Sequence, residues 1–283
     1  MKNIMKIFPQ IISALILLVV VIGCFNKKKE VLYDVILVIG QSNTHTGFGL
    51  DSNIDTPSNF IKQLGRFDAN NYKVIPAIEP LEHHYIQENC VGSAMTFAKS
   101  YVHQFLMPNR KILLIPSARG GSGFLNKRWN KGNDLYKDAL QRTLFVLDHF
   151  SNSKLVAILW HQGEADIANK NFKVNLDSFI INIRHDIGQD SVPFILGGMV
   201  PYWFNQSKDR VVIQEILKDT PNRIFLTAFA DSEVPFPIEK ENNERNAIHF
   251  DAKGLRELGR RYFNEYKKIR VAREGVEPST SGL

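Results

Sequence analysis

The chain is poor in cysteine. It has two in 283 residues, Cys24 and Cys90. Cys24 closes an N-terminal apolar stretch; once it is modified or removed with that stretch, the body carries a single thiol, and no internal disulfide is expected to staple it. A chain of this length must then rely on a sizeable hydrophobic core. Cys90 precedes a helical pattern and reads as structural. Metal-ligand spacing is missing too: His45, His83 and His84 are not accompanied by a spaced Cys/His set, and no metal or organic cofactor is expected. The glycine pair at 120–121 is not followed by a Gly-Lys-Ser/Thr sequence, which excludes a Walker-type phosphate loop. The G-x-S-x-G elbow of the α/β-hydrolases is absent as well. The net charge is +6, but the basic residues gather at Lys27–Lys29 and over 267–273 with no interleaved aromatics, so no nucleic-acid partner is expected. There is no internal repeat, no low-complexity linker and no long apolar lid suited to lipid chains.

The one long hydrophobic run, Ile11–Ile22, follows Lys2 and Lys6 and leads into Val21-Ile22-Gly23-Cys24. This resembles a bacterial lipoprotein signal with its lipobox, which implies cleavage before Cys24 and lipidation of that cysteine. An uncleaved transmembrane anchor is the alternative, although the run is short for a span. Either way, an extracytoplasmic domain tethered to a membrane is expected, periplasmic or at the cell surface. The expected organisation is a signal peptide over 1–23, a short tether over 24–30, one domain over 31–270 and a polar tail over 271–283. A monomer is favoured.

In the body, short continuous apolar runs alternate with amphipathic stretches. Strands are expected at Val35–Ile39, Val74–Ile78, Lys111–Pro116, Leu155–Trp160, Val192–Met199 and Arg223–Ala228. Helices are expected at Ser93–Met107, Asp134–Phe150, Phe172–Ile187, Asp209–Leu217 and Ala252–Tyr266, with a short one near Phe60–Leu64 inside the loop Gly47–Asn71. Runs apolar throughout, rather than alternating, belong to strands buried on both faces. The pattern predicts a mostly parallel sheet with helices on both sides.

Four strand ends carry polar groups. Ser42 lies just past the first strand, in YDVILVIGQSNT, at the edge where open α/β sheets bind ligands. A serine hydroxyl needs a base to become a nucleophile. Gly120-Gly121 can turn backbone N–H groups into a cavity and hold an oxyanion. Trp160-His161-Gln162-Gly163-Glu164-Ala165-Asp166 ends a strand in a cluster of polar groups. There Gln162 can aim its amide at developing negative charge, Glu164 can orient Arg119 or a site histidine, and Asp166 can cap a helix. His249, just before the last helix, can accept the Ser42 proton and return it, while Asp251 caps that helix. Each stretch has an ordinary structural reading as a turn or cap. Together they supply a nucleophile, a base and oxyanion donors at one edge.

Taken in order, GQSN at 40–43, GGS at 120–122, WHQGEAD at 160–166 and IHF at 248–250 followed by Gly254 resemble the SGNH (GDSL-like) hydrolases. The branch they are most similar to includes sialic acid-specific 9-O-acetylesterases and the acetylxylan esterases of carbohydrate esterase family six. The resemblance implies a three-layer α/β/α, flavodoxin-like fold and a serine esterase that removes O-acetyl groups from carbohydrate through an acetyl-serine intermediate. It implies Ser42 as nucleophile and His249 as base. The oxyanion hole would be built from Ser42, Gly121 and Gln162. Asn43, Arg119 and Trp129 are expected to contact substrate, Trp129 by closing the pocket or stacking on a sugar. The family's Asp-x-x-His pattern is altered here, because Asn246 stands where the aspartate belongs. Glu164 is therefore expected to orient His249, with Glu244 and Asn246 as the other candidates, and Glu164→Gln is expected to lower kcat more than Asn246→Ala. The alternative functions are a weak or inactive carbohydrate-binding protein on the same scaffold, or an esterase or lipase for other small acyl esters.

Overall fold

The computed structural model describes residues 31–274; the expected signal peptide, the tether and Cys24 lie outside them. Its centre is β1 (Leu32–Gly40), whose residues are buried almost throughout. Alternate side chains of a strand point to opposite faces. Accordingly Val35, Leu37 and Ile39 enter one hydrophobic cluster, and Ile36 and Val38 enter a second. This is why the run is apolar without alternation.

Around β1 the other strands are β2 (Gly47–Phe48), β3 (Ile61–Leu64), β4 (Val74–Pro76), β5 (Cys90–Val91), β6 (Arg110–Pro116), β7 (Lys154–His161), β8 (Phe194–Gly197) and β9 (Thr227–Ala230). Seven of them form one sheet in the order β4-β3-β6-β1-β7-β8-β9, while β2 and β5 pair separately. All pairings in the large sheet are parallel except β3 with β4. The chain adds β6 on one side of β1 and β7 on the other. The carboxyl ends of these three strands therefore surround a topological switch point, where the crossovers diverge and leave a crevice.

Helices α1 (Ala94–Gln104), α2 (Asp134–His149), α3 (Phe172–Ile187), α4 (Pro201–Phe204), α5 (Lys208–Lys218), α6 (Thr220–Arg223) and α7 (Ala252–Glu274) cover the sheet. Side chains of α2, α3 and α5, such as Leu135, Ile180 and Leu217, pack into the first cluster. Phe97 and Tyr101 of α1 and Leu258 and Tyr262 of α7 pack into the second. The result is the expected three-layer α/β/α architecture.

Three expectations change. Residues 60–64 are not helical: Ile61–Leu64 is strand β3, because the edge of β6 offers it backbone partners that its own short, aperiodic sequence does not reveal. The strand expected at Arg223–Ala228 is displaced to Thr227–Ala230, since Pro221 sits in the first turn of α6 and carries that segment into a helix. The last helix, expected to end at Tyr266, continues to Glu274.

Candidate active site

β1 ends at Gly40, and the backbone turns at once. The N–H of Gln41 donates to the His161 carbonyl at 2.8 Å, and Ser42–Thr44 form one 3-10 turn. The Ser42 hydroxyl faces His249, which reaches it from the loop that precedes α7. Nε2 of His249 lies 2.8 Å from Ser42 Oγ, and Nδ1 lies 2.8 Å from Asn246 Oδ1. An amide oxygen can only accept, so Nδ1 carries the proton and Nε2 is free to take the serine's. Asn246 adopts a left-handed backbone, φ +57°, a conformation asparagine tolerates better than most residues. Burial lowers the pKa of His249 below the usual histidine value. The Glu164 charge opposes this, and the charges of Lys240 and His161 reinforce it.

The carboxylate expected at the second ring nitrogen is engaged elsewhere. Glu164, fully buried, accepts from Asn43 Nδ2 at 2.6 Å and lies 3.1 Å from His161 Nε2. Burial works against its charge, but His161 and the Asn43 hydrogen bond hold its pKa below the usual glutamate value. Glu244 is exposed on the His249 loop. Of the three candidates for the second ring nitrogen, Asn246 is the bonded one.

Asn43 is also placed differently from expectation. It is buried, and besides Glu164 its Nδ2 reaches the Ile248 carbonyl at 2.8 Å, while its Oδ1 accepts from Phe250 N–H at 3.0 Å. Its polar atoms are taken up by these protein partners rather than exposed. It clamps the two residues flanking His249, and through them sets where the imidazole meets Ser42. The sequence signal for this role is the position of Asn43 directly after the serine.

The remaining donors come from the ends of β6 and β7. Gly121 has φ +66°, and nothing lies within 4 Å of where its Cβ would be. Ser122 fixes this loop: its Oγ donates to the Arg119 carbonyl at 2.6 Å and accepts from Trp129 Nε1 at 2.8 Å. Trp129 is wholly buried and stands edge-on to Trp160, with centroids 5.2 Å apart. It is packed in the core rather than exposed, which differs from the expected contact with a sugar. Gln162 is buried and donates from Nε2 to Asp166 Oδ2 at 2.5 Å, which leaves the second hydrogen of the same amide for another acceptor. Asp166 also accepts the backbone N–H groups of Phe124 and Leu125 and the Asn169 amide. It thereby ties the Gly121 loop to the Gln162 turn, a function hidden behind its expected role as a helix cap. Asp251 does cap α7, accepting Gly254 N–H at 2.7 Å.

Arg119 is exposed beside Gly120, against which the Tyr85 hydroxyl packs. Among the described residues its guanidinium has no carboxylate partner. Behind the nucleophile turn, His45 and His83 stack with centroids 4.4 Å apart, and His83 Nδ1 accepts the Ala118 N–H at 3.0 Å. His84 pairs instead with Asp138 at 3.2 Å. Among the described residues no group of three or more His, Cys, Asp or Glu side chains is placed to hold a metal ion.

A parallel α/β/α sheet with a serine, a histidine and an orienting acceptor in line at its switch point defines a serine hydrolase of the SGNH class, a carboxylic ester hydrolase. Residues 32–268 match the carbohydrate esterase, sialic acid-specific acetylesterase family, and the chain belongs to it. A probable carbohydrate esterase of Arabidopsis thaliana is 32% identical over 109 residues, 37% of this chain; the match spans only 40% of that protein's length. A probable 9-O-acetyl-N-acetylneuraminic acid deacetylase of Escherichia coli is 27% identical over 223 residues, covering 60% of this chain and 68% of the relative. The crystal structure of NanS superposes with a TM-score of 0.72 at 21% identity, covering 88% of this chain and 99% of that one. At that identity the likeness is one of fold.

Proposed function

We propose that this protein removes O-acetyl groups from carbohydrate, with Ser42 as nucleophile and His249 as general base. The observation that carries the reading is the 2.8 Å contact between Ser42 Oγ and His249 Nε2. As Oγ attacks the acetyl carbonyl carbon, Nε2 takes its proton. The oxyanion is held by the backbone N–H groups of Ser42 and Gly121 and by the free hydrogen of the Gln162 amide. Collapse breaks the C–O bond to the sugar, whose oxygen receives the proton from His249. Water then attacks acetyl-Ser42 by the same route and releases acetate. The sugar is read at the rim. The exposed Arg119, next to Gly120, suits the carboxylate of an acidic sugar such as the sialic acid named for the Escherichia coli relative.

The extracytoplasmic, lipid-tethered location remains part of this proposal. Its support is the sequence from Lys2 to Cys24. Among the described residues no helix is long and apolar enough to cross a membrane.

Hydrolysis of p-nitrophenyl acetate tests the reading. Ser42→Ala is expected to lower kcat by about a thousandfold or more, and the rate should fall for acyl chains longer than about four carbons, because the chain has no apolar lid to receive them. Activity that survives the substitution would refute the assignment of the nucleophile.

A further inference from the structure

The loop between β9 and α7 carries both His249 and Asn246, and it contains no regular secondary structure from Asp231 to Phe250. One side chain gathers it. Nζ of Lys240 donates to the carbonyls of Arg245 at 3.0 Å, of Asn246, and of His249 at 3.0 Å. That accounts for all three hydrogens of an ammonium. The Asn246 carbonyl also accepts His249 N–H at 3.1 Å, so the ammonium and the histidine backbone meet at one oxygen. Asn246, in the middle of the stretch whose carbonyls Lys240 gathers, has a left-handed backbone, φ +57°. The stem of the loop is anchored by Ile238, which is buried against the Gly254 end of α7. Lys240 is half-buried, and among the described residues no carboxylate is paired with it.

We propose that Lys240 is a positioning residue for the hydrolytic reaction: its ammonium closes the loop so that the Asn246 amide and the His249 ring stand in line with Ser42. The inference rests on His249 being the base. A neutral amide behind the imidazole supplies direction but no counter-charge. The alignment of the ring then depends more heavily on how firmly the loop is closed, and three charge-assisted bonds close it.

The lysine has an electrical consequence as well. The groups facing His249 are Glu164 and His161 from the end of β7, His45 from the turn after Ser42, and Lys240 on its own loop, with Asp251 at the start of α7 acting on Lys240. Glu164 favours the imidazolium, and Lys240 and His161 oppose it. Removing the Lys240 charge should therefore let the base hold its proton to higher pH, and the acid limb of kcat/KM should move up.

The experiment compares Lys240→Met, Lys240→Gln and Lys240→Arg with wild type on p-nitrophenyl acetate across pH, beside thermal melts and a Ser42→Ala control. Both neutral variants are expected to move the acid limb upward by about half a pH unit or more. Lys240→Met should also lower kcat by about tenfold at the pH optimum. Lys240→Arg, which keeps the charge, should leave the limb in place. If Lys240→Met does not yield folded protein, the Gln and Arg pair carries the same comparison. A superimposable pH profile, with kcat within about twofold for the folded neutral variants, overturns the Lys240 assignment alone. An inert wild type, or activity that survives Ser42→Ala, overturns the function and this inference together.

Discussion

Asn246 occupies the position where a hydrolase of this class would gain most from a negative charge. Its amide oxygen holds Nδ1 of His249 at 2.8 Å, which fixes the tautomer without stabilising the imidazolium. Asn246→Ala is expected to lower kcat by about 10- to 100-fold with little change in Tm, since the residue is exposed. Asn246→Asp is expected to raise kcat and move the acid limb of kcat/KM to higher pH, because a full charge favours the protonated ring. Glu164→Gln should act mainly on stability. It disturbs the buried hydrogen bonds to His161 and Asn43 and weakens the Asn43 clamp, at a cost of roughly 1–3 kcal/mol. Steady-state kinetics and melting curves on the three variants check this. A folded Glu164→Gln enzyme with a lower kcat than Asn246→Ala would restore the carboxylate expectation. The sequence ranked Glu164 first because it lies inside a motif; Asn246 and Glu164 are both polar, and only their distances to one ring nitrogen reverse that order.

The elements converge at the end of β1, where the chain passes close to β7 at a glycine. A Cβ on Gly40 would lie 2.1 Å from the His161 carbonyl oxygen, at φ +130°. Gly40→Ala must therefore separate β1 from β7 at the point where Ser42 and Gln162 emerge, and it is expected to give no stably folded protein. Gly121→Ala meets no atom within 4 Å and carries only the strain of its left-handed backbone, about 1–2 kcal/mol. It should fold and lose kcat as the N–H direction shifts. Soluble expression, Tm and kcat of the pair check this, and a stable Gly40→Ala enzyme would contradict the packing. At this scale most of the fold was legible, since long periodic runs such as 134–149 and 172–187 form the expected helices. The misses, Ile61–Leu64 and Thr227–Ala230, are four-residue edge or near-edge strands. Their state is set by the neighbour they pair with, and no period fits in four residues.

Across the whole molecule, buried histidines couple the fold to pH. The pKa of His45 is pushed down to about 3 by burial, with the charges of His84 and His249 adding to the effect, and burial lowers His83 well below its usual value as well. An unfolded chain titrates these groups near 6.5. Between the folded and unfolded values the unfolded state binds more protons, so stability is full above about 6.5 and falls as the pH drops below it. Glu79 works oppositely: burial raises its pKa to about 7, so between the ordinary carboxylate value and 7 it adds stability on acidification. A difference measurement isolates His45. Relative to wild type, His45→Phe is expected to gain about 2 kcal/mol of unfolding free energy between pH 7 and pH 5, in urea melts at both pH values. A wild-type-minus-variant difference that does not change with pH would refute the buried neutral imidazole.

The central strands, the long helices and the polar strand ends that carry Ser42, Gly121 and His249 could be read from the sequence alone. Each is announced locally, by an apolar run that stops at polar residues or by a period long enough to count. The tertiary structure decided the partners. Asn246 rather than Glu164 faces Nδ1 of His249, Trp129 belongs to the core, Asn43 clamps the residues flanking His249, Asp166 joins two loops and Lys240 bonds three carbonyls of a third. A buried polar group must find a hydrogen-bonding partner wherever the folded chain supplies one. For Asn43 and Phe250 that partner lies 207 residues away, a separation over which local pattern carries no information.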